Sequence, residues 1–93
     1  MMYTAVCRLE IRVPGCTSLK DKRRVVRSII DRLRRLNLSV AEVDAHDLWQ
    51  RSVIGVACVA RERSEAVRAI QSVIEWVVRQ HDSELLSHEV QIY

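Results

Sequence analysis

The chain of 93 residues contains no phenylalanine, and its aromatic content stops at two tryptophans and two tyrosines. Its core must therefore be aliphatic, and few rings are available for reading nucleobases by stacking. Glycine and proline number two and one, which excludes collagen-like and low-complexity chains. A chain that is 48% hydrophobic and 29% charged has the composition of an ordered globular protein. No apolar run reaches the roughly 18 residues of a membrane span. The opening Met1-Met2-Tyr3-Thr4 lacks the charged and apolar stretches of a secretory signal, so the expected location is cytoplasmic and no membrane partner is expected. Cys7, Cys16 and Cys58 are odd in number, form no C-x-x-C pair and have no His at zinc-ligand spacing. Cys7 and Cys58 lie in apolar segments, whereas Cys16, beside Pro14-Gly15, is the one placed to be an exposed thiol. No metal or cofactor is expected.

This length allows one domain, residues 1–93. A chain of this size hides only roughly 60 to 65% of its unfolded surface when it folds alone, so association of copies is a natural source of further burial. The net charge of +3 conceals a division. Residues 1–35 carry ten Lys/Arg against three carboxylates, net +7, and residues 36–93 carry five Arg against nine carboxylates, net −4. Such asymmetry suits either a polyanion partner or self-association through complementary charge.

From Tyr3 to Val13 apolar residues alternate strictly, with Tyr3, Ala5, Cys7, Leu9, Ile11 and Val13 on one face, which predicts a half-buried strand. Pro14-Gly15 ends it. Ser18 with Asp21 three residues later resembles a capping box, and Val25, Val26, Ile29, Ile30, Leu33 and Leu36 recur at helical steps, so a helix is expected from Leu19 to about Leu36. A second strand is expected over Leu38–Ala45 and a third over Val53–Ala60, the latter apolar on both parities and hence central in its sheet. Ser64 is read as the cap of a second helix carrying Val67, Ile70, Val73, Ile74, Val77 and Val78. Glu84–Tyr93 alternates with Leu86, Val90 and Ile92 on one side, as a closing strand. The order βαββαβ predicts an α+β, ferredoxin-like sandwich, a four-stranded antiparallel sheet with two helices on one face. Its other face would display Val6, Arg8, Arg12, Val53, Ala57 and Val59, wet in a monomer and therefore expected to be covered in a homodimer.

The densest chemical signal is the first helix. On a 100° wheel Lys20, Arg23, Arg24, Arg27, Arg34 and Arg35 fall opposite the Val25, Ile29 and Leu33 stripe, interrupted by Asp31. At 1.5 Å per residue they form a cationic ridge roughly 20 to 25 Å long, and Arg supplies the planar fork that suits phosphate. The same face also fits a solvated surface with Arg27 and Asp31 paired at i,i+4. Outward positions of the central strands carry no aromatics, so RNA contact through this chain would be electrostatic and shape-based. The Asp44–Arg51 segment gathers Asp44, His46, Asp47, Trp49 and Arg51. Its carboxylates suit turn closure better than metal or acid–base work, and Trp49 suits an interface. No Ser, Cys or His has the sequence context of a nucleophile or general base, and no catalytic residue is expected.

Two stretches, Pro14-Gly15-Cys16-Thr17-Ser18-Leu19-Lys20-Asp21-Lys22-Arg23-Arg24-Val25 and Val40-Ala41-Glu42-Val43-Asp44-Ala45-His46-Asp47-Leu48-Trp49-Gln50-Arg51, resemble the YlxP-like family of small bacterial proteins of unknown function, and the likeness in length and element order spans nearly the whole chain. The resemblance implies a ferredoxin-like fold and a gene often placed among those for transcription elongation, ribosome maturation and translation initiation. The expectation is a non-enzymatic module that contacts structured RNA or the ribosome through Lys20, Arg23, Arg24, Arg27, Arg34 and Arg35. Trp49, Arg51, Val6 and Val53 are expected to form an interface or secondary contact. The alternative is a structural or small-molecule-sensing homo-oligomer with no nucleic-acid role.

Overall fold

A computed structural model describes residues 1–93. Strand β1 (Tyr3–Arg12) leads into helix α1 (Leu19–Arg34), followed by β2 (Ser39–Asp44), β3 (Arg51–Ala60), helix α2 (Arg63–Val78) and β4 (Glu84–Ile92). The sheet order is β2-β3-β1-β4 with every pair antiparallel, and the fold is ferredoxin-like, as the element order predicts. Alternation in β1 sends Ala5, Cys7, Leu9 and Ile11 into one buried cluster with Val26, Ile29 and Leu33 of α1 and Ala66, Ile70, Val73 and Val77 of α2. Helix α1 lies nearest β2, whereas α2 spans β1, β3 and β4, and the buried faces of both helices share the one core.

Helix α1 starts where its cap dictates. The Ser18 hydroxyl accepts from the Asp21 N–H at 3.1 Å, while the Asp21 carboxylate accepts from the backbone N–H and the hydroxyl of Thr17 at 3.2 and 3.0 Å. The reciprocal bond of the capping box thus falls one residue earlier than the sequence pattern suggests. Helix α2 begins at Arg63 behind Glu62, with no side-chain cap, so Ser64 lies inside the first turn instead of closing it.

Two register shifts alter which side chains are buried. Between β1 and β4, Glu10 opposes Ser87 but Ile11 opposes Leu85, leaving Leu86 as the extra residue of a bulge. A bulge reverses the parity of the residues beyond it, so Leu85 joins Ile92 against the core while Leu86, expected inside, stays exposed. Val90 opposes Cys7 yet is also exposed, out on the edge strand. Between β2 and β3, Val43 is the extra residue. Its side chain lies over Gly55, where an added Cβ would sit 3.0 Å from Val43 Cγ1; a larger residue there would have to push the Val43 side chain aside.

The sheet face without helices is only partly open. Val59 is 66% exposed, but Val53, expected to be wet, is 4% exposed. The β2–β3 connection curls over that end of the face, so that Val53 shares a hollow with Arg8, Glu10, Asp44, Ala45, Leu48 and Arg51. Val53 is therefore a part of the chain's own packing and does not await a partner.

Candidate nucleic-acid interface

Helix α1 has its core-facing stripe at Lys22, Val26, Ile29 and Leu33. Residues opposite that stripe, with Arg23 on one flank and Arg32 on the other, open onto a groove along the outer face of α1 that reaches α2 at one side. The groove has a volume of about 800 Å³ and is lined by Lys20, Arg23, Arg24, Arg27, Ser28, Asp31, Arg32 and Arg35 from α1 and by Trp76 and Gln80 from α2. Six cations thus face a single carboxylate. All six are exposed, and none belongs to the four ion pairs of the chain, which join Arg8 to Asp44, Arg12 to Glu84, Lys22 to Glu42 and Arg51 to Glu10. The Arg27–Asp31 pairing that would explain the ridge as a self-neutralised surface is not made. Uncompensated guanidinium groups converging on one concavity raise the local potential for anions.

Five of the six ridge residues singled out from the sequence line this groove. Arg34 does not. It lies on the β2 side of α1, where its Nε and a terminal guanidinium nitrogen donate to the Val40 carbonyl at 3.3 and 2.9 Å. The wheel groups all cations opposite the apolar stripe, but the neighbour of one flank is β2 and of the other α2. Arg23 and Arg27 also border a smaller hollow on the β2 side with Ile30, Arg34 and Glu42. Arg32, which the wheel places beside the apolar stripe, escapes the sequence reading, as do Trp76 and Gln80. Trp76 stands off the Ala66, Ile70, Val73 and Val77 line at helical spacing, which is the signal that could have found it.

Lys22 is the cation the pattern hides. It is 1% exposed, and its ammonium donates to the carbonyls of Ala45, His46 and Arg51 at 2.7, 2.9 and 3.2 Å with Glu42 Oε2 at 3.3 Å. Glu42 in turn accepts from the Ser52 hydroxyl at 2.5 Å. Every proton of the buried ammonium has an oxygen, which is the condition for burying a charge. The three carbonyls belong to both ends of the β2–β3 connection, so Lys22 ties that loop to α1. The loop needs tying. Ala45 has φ 60°, a left-handed conformation costing a non-glycine residue roughly 1–2 kcal/mol, and its N–H is held by Asp44 Oδ1 at 2.7 Å. A second tether runs from Gln50 Nε2 to the Cys16 carbonyl at 3.2 Å. The loop so held presents Trp49, 55% exposed, beside exposed Leu48.

The other residues expected at a contact or a site have different surroundings. Arg51 is bonded to Glu10 across the strands. Val6 lines a hollow of about 420 Å³ on the helix-free sheet face with Arg8, Ala41, Val43, Gly55 and Ala57. Asp44, His46 and Asp47 form no cluster able to hold a metal ion. Cys16, expected exposed, is 5% exposed, because the turn after β1, held by the Cys16 N–H to the Val13 carbonyl and by Gln50 to the Cys16 carbonyl, brings it into the core cluster. Burial, with help from the Asp21 and Asp82 carboxylates, pushes its thiol up, and burial alone pushes Cys7 up to about 11. Neither is a reactive thiolate at neutral pH. Asp21 is held below the ordinary carboxylate range, first by the Thr17 N–H and then by the Thr17 hydroxyl.

No helix is long and apolar enough to cross a membrane. Residues 4–90 match the family described as "Protein of unknown function (DUF503)". The chain is 34% identical over 78 residues to the uncharacterized protein YlxP of Bacillus subtilis (strain 168), covering 83% of each chain. Among solved structures it is similar to the de novo designed protein Foldit4, with a TM-score of 0.54 at 15% identity over 97% of this chain and 96% of that one. It is also similar to a de novo designed protein with a ferredoxin fold, with a TM-score of 0.52 at 14% identity over 95% and 84%. At such identities these two likenesses speak to fold alone.

Proposed function

The chain belongs to the YlxP-like family of proteins of unknown function, and from that premise we propose that it is a non-enzymatic, cytoplasmic RNA-binding module whose α1–α2 groove takes the phosphates of a structured RNA, free or within the ribosome. The observation that carries this reading is the groove itself: six exposed cations without intramolecular partners, against one carboxylate, in one concavity. A merely soluble surface interleaves its charges, and it has no need to leave guanidinium groups unpaired along one side of one helix. Lys20, Arg23, Arg24, Arg27, Arg32 and Arg35 neutralise phosphates, releasing condensed counterions. Arg34 positions α1 against β2.

Affinity for RNA is expected to fall with the logarithm of salt, at about 0.7 to 0.9 per phosphate neutralised. Replacing Arg24 and Arg27 by Glu is expected to abolish binding in a filter or anisotropy assay while thermal stability falls only slightly, because neither side chain makes an ion pair or hydrogen bond and only Arg24 attracts a carboxylate, that of Asp21. Unchanged binding by that double variant would sink the assignment.

A second reading is favoured by the hollow on the helix-free sheet face, with its Val6, Ala41, Val43, Gly55 and Ala57 floor, and by exposed Val59, Leu48 and Trp49 nearby. These fit coverage by a second copy, as a homodimer, or a small-molecule-sensing oligomer in which the basic helix is only solvated. Purified protein free of nuclease-sensitive 260 nm absorbance, together with a salt-insensitive dimer in sedimentation, favours that reading over the first.

A further inference from the structure

Of the four aromatic rings in the chain, only Trp76 lines the cationic groove, and it is the sole hydrophobic residue there. We propose that the groove takes an unpaired stretch of RNA, a loop or a bulge, and that the Trp76 indole is the platform on which one of its bases stacks. This rests on the phosphate-binding reading of the same groove and goes beyond it by naming which part of an RNA enters.

Shape argues for a single strand. The groove runs along the outer face of α1 and meets α2 only at Trp76 and Gln80, on helices each about 10–12 Å across with their side chains. Its volume of about 800 Å³ falls within the roughly 300–1,000 Å³ of clefts that enclose small ligands. A paired helix presents a broad convex backbone and keeps its bases stacked inside, so it can lie across such a groove but cannot deliver a base to its wall. An unpaired strand can thread it with phosphates on one side and a base turned to the other.

The chemistry of the wall points the same way. Trp76 is half-buried against the core and also lines the groove, so core packing restricts the ring while part of it remains open to the cations. The Trp76 carbonyl accepts from Gln80 Nε2 at 2.8 Å and from the Arg79 N–H at 3.2 Å, closing the turn of α2 whose backbone carries the ring. A stacking platform needs this rigidity, since ordering a mobile ring on binding costs free energy. The central strands give no substitute: their outward positions, where RNA-binding sandwiches of this topology carry their rings, hold Val6, Arg8, Gly55 and Ala57, and the exposed rings of Trp49 and Tyr93 do not line the groove.

The test uses the full chain. In Trp49→Phe, Trp76 is the only tryptophan, and its emission is expected to be quenched by an RNA hairpin with an unpaired loop but not by a blunt duplex with the same number of phosphates. Trp76→Leu keeps the apolar packing and removes the ring; it is expected to weaken hairpin binding about tenfold, leaving duplex affinity and the salt slope unchanged. Trp76→Phe is expected to restore most of the loss. Equal hairpin and duplex binding with no quenching, or equal weakening of both by Trp76→Leu, overturns the stacking proposal. If the Arg24, Arg27 double charge reversal still abolishes binding in that case, the groove reading stands without it. If that double variant binds like the unaltered chain, both fall.

Discussion

Lys20 and Lys22 stand two residues apart on α1 and meet opposite conditions. Lys20 is exposed on the groove with no partner in the chain. Lys22, 200° further round the helix, is enclosed by four oxygens from β2 and the β2–β3 connection. The outer cations keep their water and counterions, which a phosphate can displace. The inner one has exchanged its water for fixed carbonyls and a carboxylate, and its charge is no longer available to any ligand. A count of basic residues on α1 therefore mixes two functions, one directed at a partner and one directed at the fold.

The largest effect is expected from breaking the inner site. Lys22→Met removes the ammonium from three carbonyls and leaves the half-buried Glu42 carboxylate with only the Ser52 hydroxyl, and stranding one side of a buried pair costs about 3–5 kcal/mol. For a domain of this size each kcal/mol moves the midpoint by roughly 4–8 °C, so thermal or urea unfolding should read a loss of well over ten degrees. Adding Glu42→Leu is expected to recover part of it, because the carboxylate is then no longer stranded. A midpoint within a degree or two of the unaltered chain would mean that the carbonyls are satisfied without Lys22.

The comparison sharpens at Arg34 and Arg35, adjacent cations with different fates. Arg34 donates twice to the Val40 carbonyl, and Arg35 lines the groove. Arg34→Ala is expected to cost about 1 kcal/mol in stability, the usual net worth of such a bond, and to leave the salt dependence of RNA binding unchanged. Arg35→Ala is expected to leave stability unchanged and to lower the salt slope by about 0.7 to 0.9. Exchanged outcomes would show that the sorting of cations into structural and ligand-directed sets is wrong at this end of the helix.

How much of the molecule is legible in its sequence depends on the range of the interactions involved. Periodicity is a local property, so the alternation of β1, the stripe of α1 and the order of the elements are legible, and with them the ferredoxin-like arrangement. The Leu85/Leu86 exchange is not, because a bulge is decided by how two strands far apart in sequence pair. Nor is the covering of Val53, which depends on where the β2–β3 connection lies. Lys22 is visible in one respect: a lysine at the stripe spacing of Val26, Ile29 and Leu33 points inward if the helix is placed by its apolar residues. The set of oxygens waiting for it, gathered from Glu42, Ala45, His46 and Arg51, has no local signature. The groove is half legible, since its α1 wall is local while Trp76 reaches it only through the packing of α2 on the same sheet face.

Asp21, between the two lysines, gives the smallest test, since its carboxylate is held mainly by Thr17 at the helix start and only lastly by the charge of Arg24, a groove cation. Its carboxylate takes the Thr17 N–H and hydroxyl, and these bonds hold it below the ordinary carboxylate range. A folded-state value lower than the unfolded one means that the unfolded chain binds the proton more readily, so the stabilisation is fully present above the ordinary value of about 3.9 and is lost as pH falls through the folded-state value. Asp21→Asn keeps an acceptor for Thr17 and removes only the charge. The stability difference between the two proteins, followed by urea unfolding, is expected to stay constant from neutral pH to about pH 5 and to shrink below about pH 4. The salt slope for RNA should be the same for both, because Asp21 does not line the groove. A difference that persists undiminished in acid would assign the effect to hydrogen-bond geometry alone. A changed salt slope would mean that the Asp21–Arg24 attraction is strong enough to withhold Arg24 from phosphate, and would move Arg24 out of the ligand-directed set.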